Sequence, residues 1–201
     1  MNYEFLKSKH AKLHISAKED IVLQYLYEKV IGYQINNVND VVRLAVLSYG
    51  WMPTMNKGKF IDNDIELSLI KDYLVEIQKS KSRQKAINIA FQKTKASDDF
   101  LRLTNNSVVG LSKALHIIRP DVFPIIDSHM LNGLREYGKH IGYPKDKIPK
   151  SKYPTHELDF FENFTRFLSE KLPDVPVREV EKILFDLGRS GSSRKVISSK
   201  K

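Results

Sequence analysis

Apolar residues return at intervals of three and four along almost the whole of this chain, and no stretch alternates apolar with polar, so the sequence predicts helix after helix. "SAKEDIVLQYLYEKVIG" shows the pattern: Ser16 and Glu19 have the spacing of a capping box, and Gly32 supplies the stop. "NDVVRLAVLSYG" predicts a helix ending at Gly50. Others are predicted over roughly 63–79, 83–94 and 97–103, then from the end of "TNNS" to about residue 118, where Pro120 intervenes. Asp127 opens the next, with Gly138 as its end. Two last helices lie in "THELDFFENFTRFLSEKL" and "PVREVEKILFDLG", the second with Pro in its first turn and Gly188 at its close. No strand and no internal repeat is evident, and the expected fold class is all-α. At 201 residues the chain can bury one core or two small lobes sharing an interface. The expected organisation is one two-lobed globular unit over residues 1–188 and a basic flexible tail over 189–201. "GKHIGYPKDKIPKSKYP", with three prolines and two glycines, reads as a flexible connector.

The six histidines and the absence of cysteine exclude disulfides, zinc ribbons and thiolate-held iron-sulfur clusters. His10 and His14 have the spacing of a helical metal pair, a spacing that surface histidines also adopt, and neither metal nor cofactor is expected. No apolar run nears the roughly 20 residues that cross a bilayer, and "MNYEFLKSKHAKLH" lacks the apolar core of a signal peptide, so a cytoplasmic monomer with no membrane partner is expected.

A net charge of +9 favours a polyanionic partner, most simply nucleic acid. The charge is clustered: Lys79, Lys81, Arg83, Lys85, Lys93 and Lys95 form a run without an acid. "KHIGYPKDKIPKSK" carries five lysines against Asp146, and "RSGSSRKVISSKK" carries five basic residues and no acid. Each run alone reads as a solvated face or frayed tail. Together they point to phosphate contact.

Walker loops, dinucleotide glycine fingerprints, HExxH and Gly-x-Ser-x-Gly are all absent. What remains is "LTNNSVVGLSKALHIIRPDVFPIIDSHMLNGLREY", residues 103–137: a polar hairpin, a helix, a Pro-containing bend, a buried apolar step and an aspartate at the mouth of the next helix. This stretch resembles the helix-hairpin-helix DNA glycosylases, whose signature ends in a bend, an apolar stretch and Asp-Thr-His-Val or a close variant. Asp127, Ser128, His129 and Met130 match that ending. The family's Leu-Pro-Gly-Val-Gly hairpin is replaced by "LTNNS", with Asn105 and Ser107 for its glycines, and asparagine is the non-glycine residue that best tolerates left-handed angles. Where bifunctional members carry a Schiff-base lysine this chain has Val108 and Val109, with Lys113 a helical turn beyond, so the resemblance implies a monofunctional enzyme without an iron-sulfur cluster.

On that resemblance Asp127 is the catalytic residue. Breaking an N-glycosidic bond leaves positive charge on the sugar, which an ionised carboxylate stabilises, and the same group can orient or deprotonate the attacking water. An aspartate before a helix is also a common N-cap, and the two roles can coexist. Double-stranded DNA is the expected partner, gripped at Asn105, Asn106 and Ser107 through amides at a helix start, with Lys113, Ser128 and His129 nearby. Tyr49 and the lone Trp51 are candidates for a base pocket or wedge, with a core role for Trp51 equally open. Three readings stand at this level: a glycosylase for a damaged or modified base, the enlarged bases of bacteriophage DNA included; a non-catalytic DNA-binding module; and a basic RNA-binding helical protein.

Overall fold

The protein's structure is a computed structural model describing residues 2–12, 28–49, 64–151 and 157–198, with side chains described as far as residue 190. Helices α1 (Tyr3–His10), α2 (Val38–Tyr49), α3 (Leu67–Lys79), α4 (Arg83–Phe91), α5 (Lys95–Leu103), α6 (Val108–Ile118) and α7 (Ser128–Ile141) come first. A 3-10 turn (Lys145–Lys147), α8 (Leu158–Lys171) and α9 (Val177–Ser198) follow. The fold is all-α, with no strand among the described residues. Most of the helix predicted to start at Ser16 lies outside them; its last residues, 28–30, are helical and lead to Gly32 at φ 76°.

Helix starts follow local side-chain chemistry. Ser82 accepts from the Lys85 N–H at the head of α4, Thr94 and Ser97 form a reciprocal capping box on α5, and Ser107 and Asp127 cap α6 and α7. Each satisfies an amide that has no partner inside its own helix.

The helices pack in two groups. Helices α2 to α6 and α8 pack on one another, while α1 and α9 join α7, and the α7–α9 pairing is the most extensive in the molecule. One hydrophobic cluster runs through both, from Leu44, Leu74, Phe100 and Leu115 through Phe123 and Ile126 to Met130, Leu134 and Leu184. Each of these fully buried side chains contributes about 1.5–3 kcal/mol relative to exposure. Their continuity holds the segment between α6 and α7 in place. Arg119 anchors that segment further: its guanidinium donates to Ile77 O at 3.1 Å and Ser80 O at 3.0 Å, closing the end of α3, while pairing with Asp121 at 2.8 Å.

Three boundaries differ from expectation, and in each a glycine or proline marks packing instead of a stop. Helix α7 passes through Gly138 and ends at Gly142, which takes φ 81°. Helix α9 passes through Gly188 to Ser198, so the stretch expected as a flexible tail from residue 189 begins as helix. The reason is steric. A Cβ on Gly188 would lie 2.0 Å from His129 O, and one on Gly133 would lie 1.9 Å from Leu184 O, so the two backbones touch at a crossing only glycine permits. The third is the supposed connector. Tyr143 and Ile148 are buried, and Arg135 donates to Pro149 O at 2.7 Å, which ties this segment to α7; residues 152–156 lie outside the described set.

Candidate active site

Helices α5 and α6 are joined by a four-residue turn, Thr104 to Ser107. Asn105 and Asn106 hold φ 57° and 52°, the left-handed angles a tight hairpin needs. Its amides turn inward. The N–H of Asn105 donates to Arg102 O (3.0 Å), that of Asn106 to Leu101 O (2.9 Å) and that of Ser107 to Thr104 O (3.0 Å). The amides of Asn105, Asn106 and Ser107, expected to grip phosphate, thus each have an acceptor inside the turn. Gly110 N–H is held by Ser107 Oγ at 3.3 Å, so the donors at the head of α6 without an acceptor inside the helix are the amides of Val108 and Val109.

Tyr49, a candidate for a base pocket, packs against this turn. It is buried, and its hydroxyl donates to Thr104 O at 2.6 Å while sitting 2.8 Å from where a Cβ on Gly110 would be. It braces the hairpin from beneath. Trp51 lies outside the described residues.

From the hairpin, α6 leads into the bend that delivers Asp127. Two bonds fix that path: Ile126 N–H donates to Ser112 Oγ at 3.0 Å, and the fully buried His116 donates from Nδ1 to Phe123 O at 2.6 Å. Asp127 emerges partly exposed where the two helix groups meet, its Oδ1 accepting from Met130 N–H at 2.7 Å. Ser128 and His129 follow in the first turn of α7, both partly exposed. The His129 ring meets Phe185 of α9 edge-on at 5.3 Å, and its Nδ1 is buried with no hydrogen-bond partner among the described residues.

Burial pushes the Asp127 carboxyl up, against the opposing pull of the Met130 N–H and the charges of His129 and Lys113. The free amides of a helix start favour the charged carboxylate, but desolvation outweighs them. Lys113, expected to contact DNA, is only 8 % exposed and faces inward. Burial lowers its ammonium to about 8, opposed by the nearby charges of Asp127 and Glu181.

Glu181 is the residue that sequence reasoning missed. It sits on α9, 3 % exposed, with Arg178 donating to its carboxylate. Burial raises it to about 7, opposed by Arg178 and reinforced by Asp127 and Asp186. The signal was present: Val177, Glu181, Leu184 and Gly188 fall at helical spacing on one face, which places an acid in an apolar stripe. Lys113 of α6 thus feels the charges of Asp127 at the start of α7 and of Glu181, which Arg178 pairs on α9.

Much of the basic charge is on the surface. Lys79, Lys81, Lys85 and Lys93 are exposed around the ends of α3 and α4, as are Lys145, Lys147 and Lys150, whereas Lys95 is paired with Glu66 (3.0 Å) and Asp99 (2.8 Å). His10 is bound to Asp186 at 2.8 Å; His14 lies outside the described residues. Among the described residues no cluster of three or more His, Asp or Glu is arranged to hold a metal, and no helix is long and apolar enough to cross a membrane. No family model matches the chain, and no solved structure matches it.

Proposed function

We propose that the protein is a monofunctional DNA glycosylase that removes a damaged or modified base from double-stranded DNA and leaves an abasic site, with Asp127 as its catalytic carboxylate. The observation that carries this reading is the position of Asp127: a partly exposed, largely desolvated carboxyl group at the end of a helix-hairpin-helix and bend. Anchoring Oδ1 on the Met130 N–H fixes the direction of the other oxygen. In the reaction the bond from C1′ to the base nitrogen breaks, its electron pair leaving with the base. Water bonds to C1′ and gives its proton to Asp127, and that proton passes on to the departing base, which leaves neutral while the carboxylate is ionised again. The ionised carboxylate stabilises the positive charge that grows on the sugar, and a desolvated site strengthens that interaction. The exposed lysines supply phosphate contact, and the amides of Val108 and Val109 suit an anion at the head of α6.

The test is release of free base from a panel of genomic DNAs, including alkylated, deaminated and phage-modified DNA, read by mass spectrometry. Asp127→Asn is expected to lower release at least a hundredfold, on the scale of losing one catalytic acid-base group, with DNA affinity equal or improved. Full activity in that variant would refute the assignment. A second reading, a non-catalytic DNA-binding module, is favoured by one feature: Asp127 caps α7 through the Met130 N–H, as a purely structural aspartate would. In that case wild type and Asp127→Asn bind DNA alike, and neither releases a base.

A further inference from the structure

We infer that the last turns of α9, from Arg189 to Ser198, form a basic arm beside the mouth of the Asp127 site that holds the phosphates of the DNA strand carrying the target base. The inference rests on Asp127 being the base-excising carboxylate, and it assigns a strand contact to a part of the chain that the hairpin and bend do not include.

The position follows from the glycine crossing. A Cβ on Gly133 would meet Leu184 O at 1.9 Å and one on Gly188 would meet His129 O at 2.0 Å, while the His129 ring meets Phe185 at 5.3 Å. Residue numbers rise along α9 as they fall along α7, so the two helices run antiparallel. Asp127 precedes His129 by as many residues as Ser190 follows Gly188, and α9 therefore draws level with Asp127 near Ser190. It does not stop there. The helix continues to Ser198, which carries its axis about 12 Å past that level at 1.5 Å per residue. Its course beside α6 has the same sense, because His116 feels the charge of Arg178 and Lys113 that of Glu181, so α9 advances toward the hairpin end of α6. The starts of α6 and α7 and the finish of α9 thus open toward one face.

Charge decides what that face can hold. The two helix starts present the positive ends of their dipoles, whereas the finish of α9 presents a negative end that by itself repels phosphate. The sequence reverses that sign: Arg189, Arg194 and Lys195 lie on these turns, Lys200 and Lys201 follow, and no acid occurs after Asp186. Basic residues in a last turn would also stabilise a helix pointing anywhere. That role does not require a helix carried past the end of the one it packs on. The other basic runs are remote. Lys79, Lys81 and Lys85 gather around Ser80, which Arg119 ties to the far end of α6, about 16 Å from the hairpin at the same rise per residue. Lys145 and Lys147 follow the far end of α7.

The chain has no cysteine, so one introduced cysteine carries a label at a unique place. An iron-EDTA group, which cuts DNA by local radical chemistry, is attached to the full chain at Ser193→Cys on the arm, at Val109→Cys by the hairpin, or at Gln84→Cys on α4. Each protein is mixed with a duplex holding a single tetrahydrofuran abasic analogue, the stand-in for the product. Cuts from positions 193 and 109 are expected within about four nucleotides of the analogue, at 3.4 Å per nucleotide, and no such focus from position 84. A second measurement separates an ordered arm from a loose charged tail. Ser193→Pro keeps every charge but breaks the helix at the Arg189 carbonyl, and is expected to weaken binding of the same duplex about tenfold. Arg194→Gln with Lys195→Gln should weaken it comparably and flatten the slope of log K against log salt by about two. Wild-type affinity in Ser193→Pro overturns the arm. Focused cuts from position 109 without any from 193 also overturn it and leave the glycosylase reading standing, whereas focused cuts from neither overturn both. Focused cuts from 193 alone keep the arm and remove the hairpin from the DNA face.

Discussion

His116 is a histidine that the folded chain keeps neutral. Burial first and the charge of Arg178 second push it down to about 3, while its Nδ1–H is occupied by Phe123 O. Below its ordinary value of 6.5 the unfolded chain takes a proton that the folded chain refuses, so this group costs stability as pH falls from about 6.5 toward 3 and contributes nothing above it. Glu181 has the opposite sign: the folded chain holds a proton the unfolded one has lost, and stability declines as pH rises from 4.5 to about 7. Where the windows overlap the two slopes offset, each at most about 1.4 kcal/mol per pH unit. Urea unfolding across pH should therefore show wild type nearly flat between them, Glu181→Gln gaining stability with pH there, and a neutral replacement of His116 losing it. Tyr49→Phe tests the hairpin brace; removing the donor to Thr104 O is expected to cost about 1 kcal/mol by denaturant midpoint. Asp127 was legible in the sequence because its cap, its bend and its Ser-His neighbours are contiguous. The roles of Tyr49 and Glu181 were not, since their partners lie 55 residues away at Thr104 for the first and on other helices for the second.

The helix ends expected near residues 49, 79, 103 and 118 are where the sequence put them, whereas those expected at Gly138 and Gly188 are not, for a definite physical reason. A start is written in one side chain and the amide three residues on, as at Ser82, Thr94, Ser107 and Asp127. A glycine, by contrast, can end a helix or admit a neighbouring one, and only the neighbour decides. Gly188→Ala separates the two cases. Helix propensity alone favours alanine by about 1 kcal/mol, whereas a Cβ 2.0 Å from His129 O must push α9 off α7. A net loss of about 1–3 kcal/mol is expected from the overpacking. A gain in stability would show that the glycine crossing is not close-packed. The hairpin gives a second comparison: Asn106→Ala should destabilise by about 1–2 kcal/mol because alanine resists left-handed angles, and Asn106→Gly should restore the loss.

At the scale of the whole molecule, the net charge of +9 and the exposed lysines predict DNA affinity that falls with salt. For about three to six phosphate contacts, log K should fall against log salt with a slope of about −0.9 per contact. A flat plot would remove DNA as the partner. The arrangement of the two helix groups also sets when the site exists. On the ribosome, α7 emerges with the Gly133 face bare and stays so until residue 188 has left the exit tunnel, because the surface that covers it belongs to α9. The surroundings of Asp127 are thus finished only after α9 has been synthesised, and a chain broken off before α9 would carry the hairpin and the lysines with the face around Gly133 uncovered.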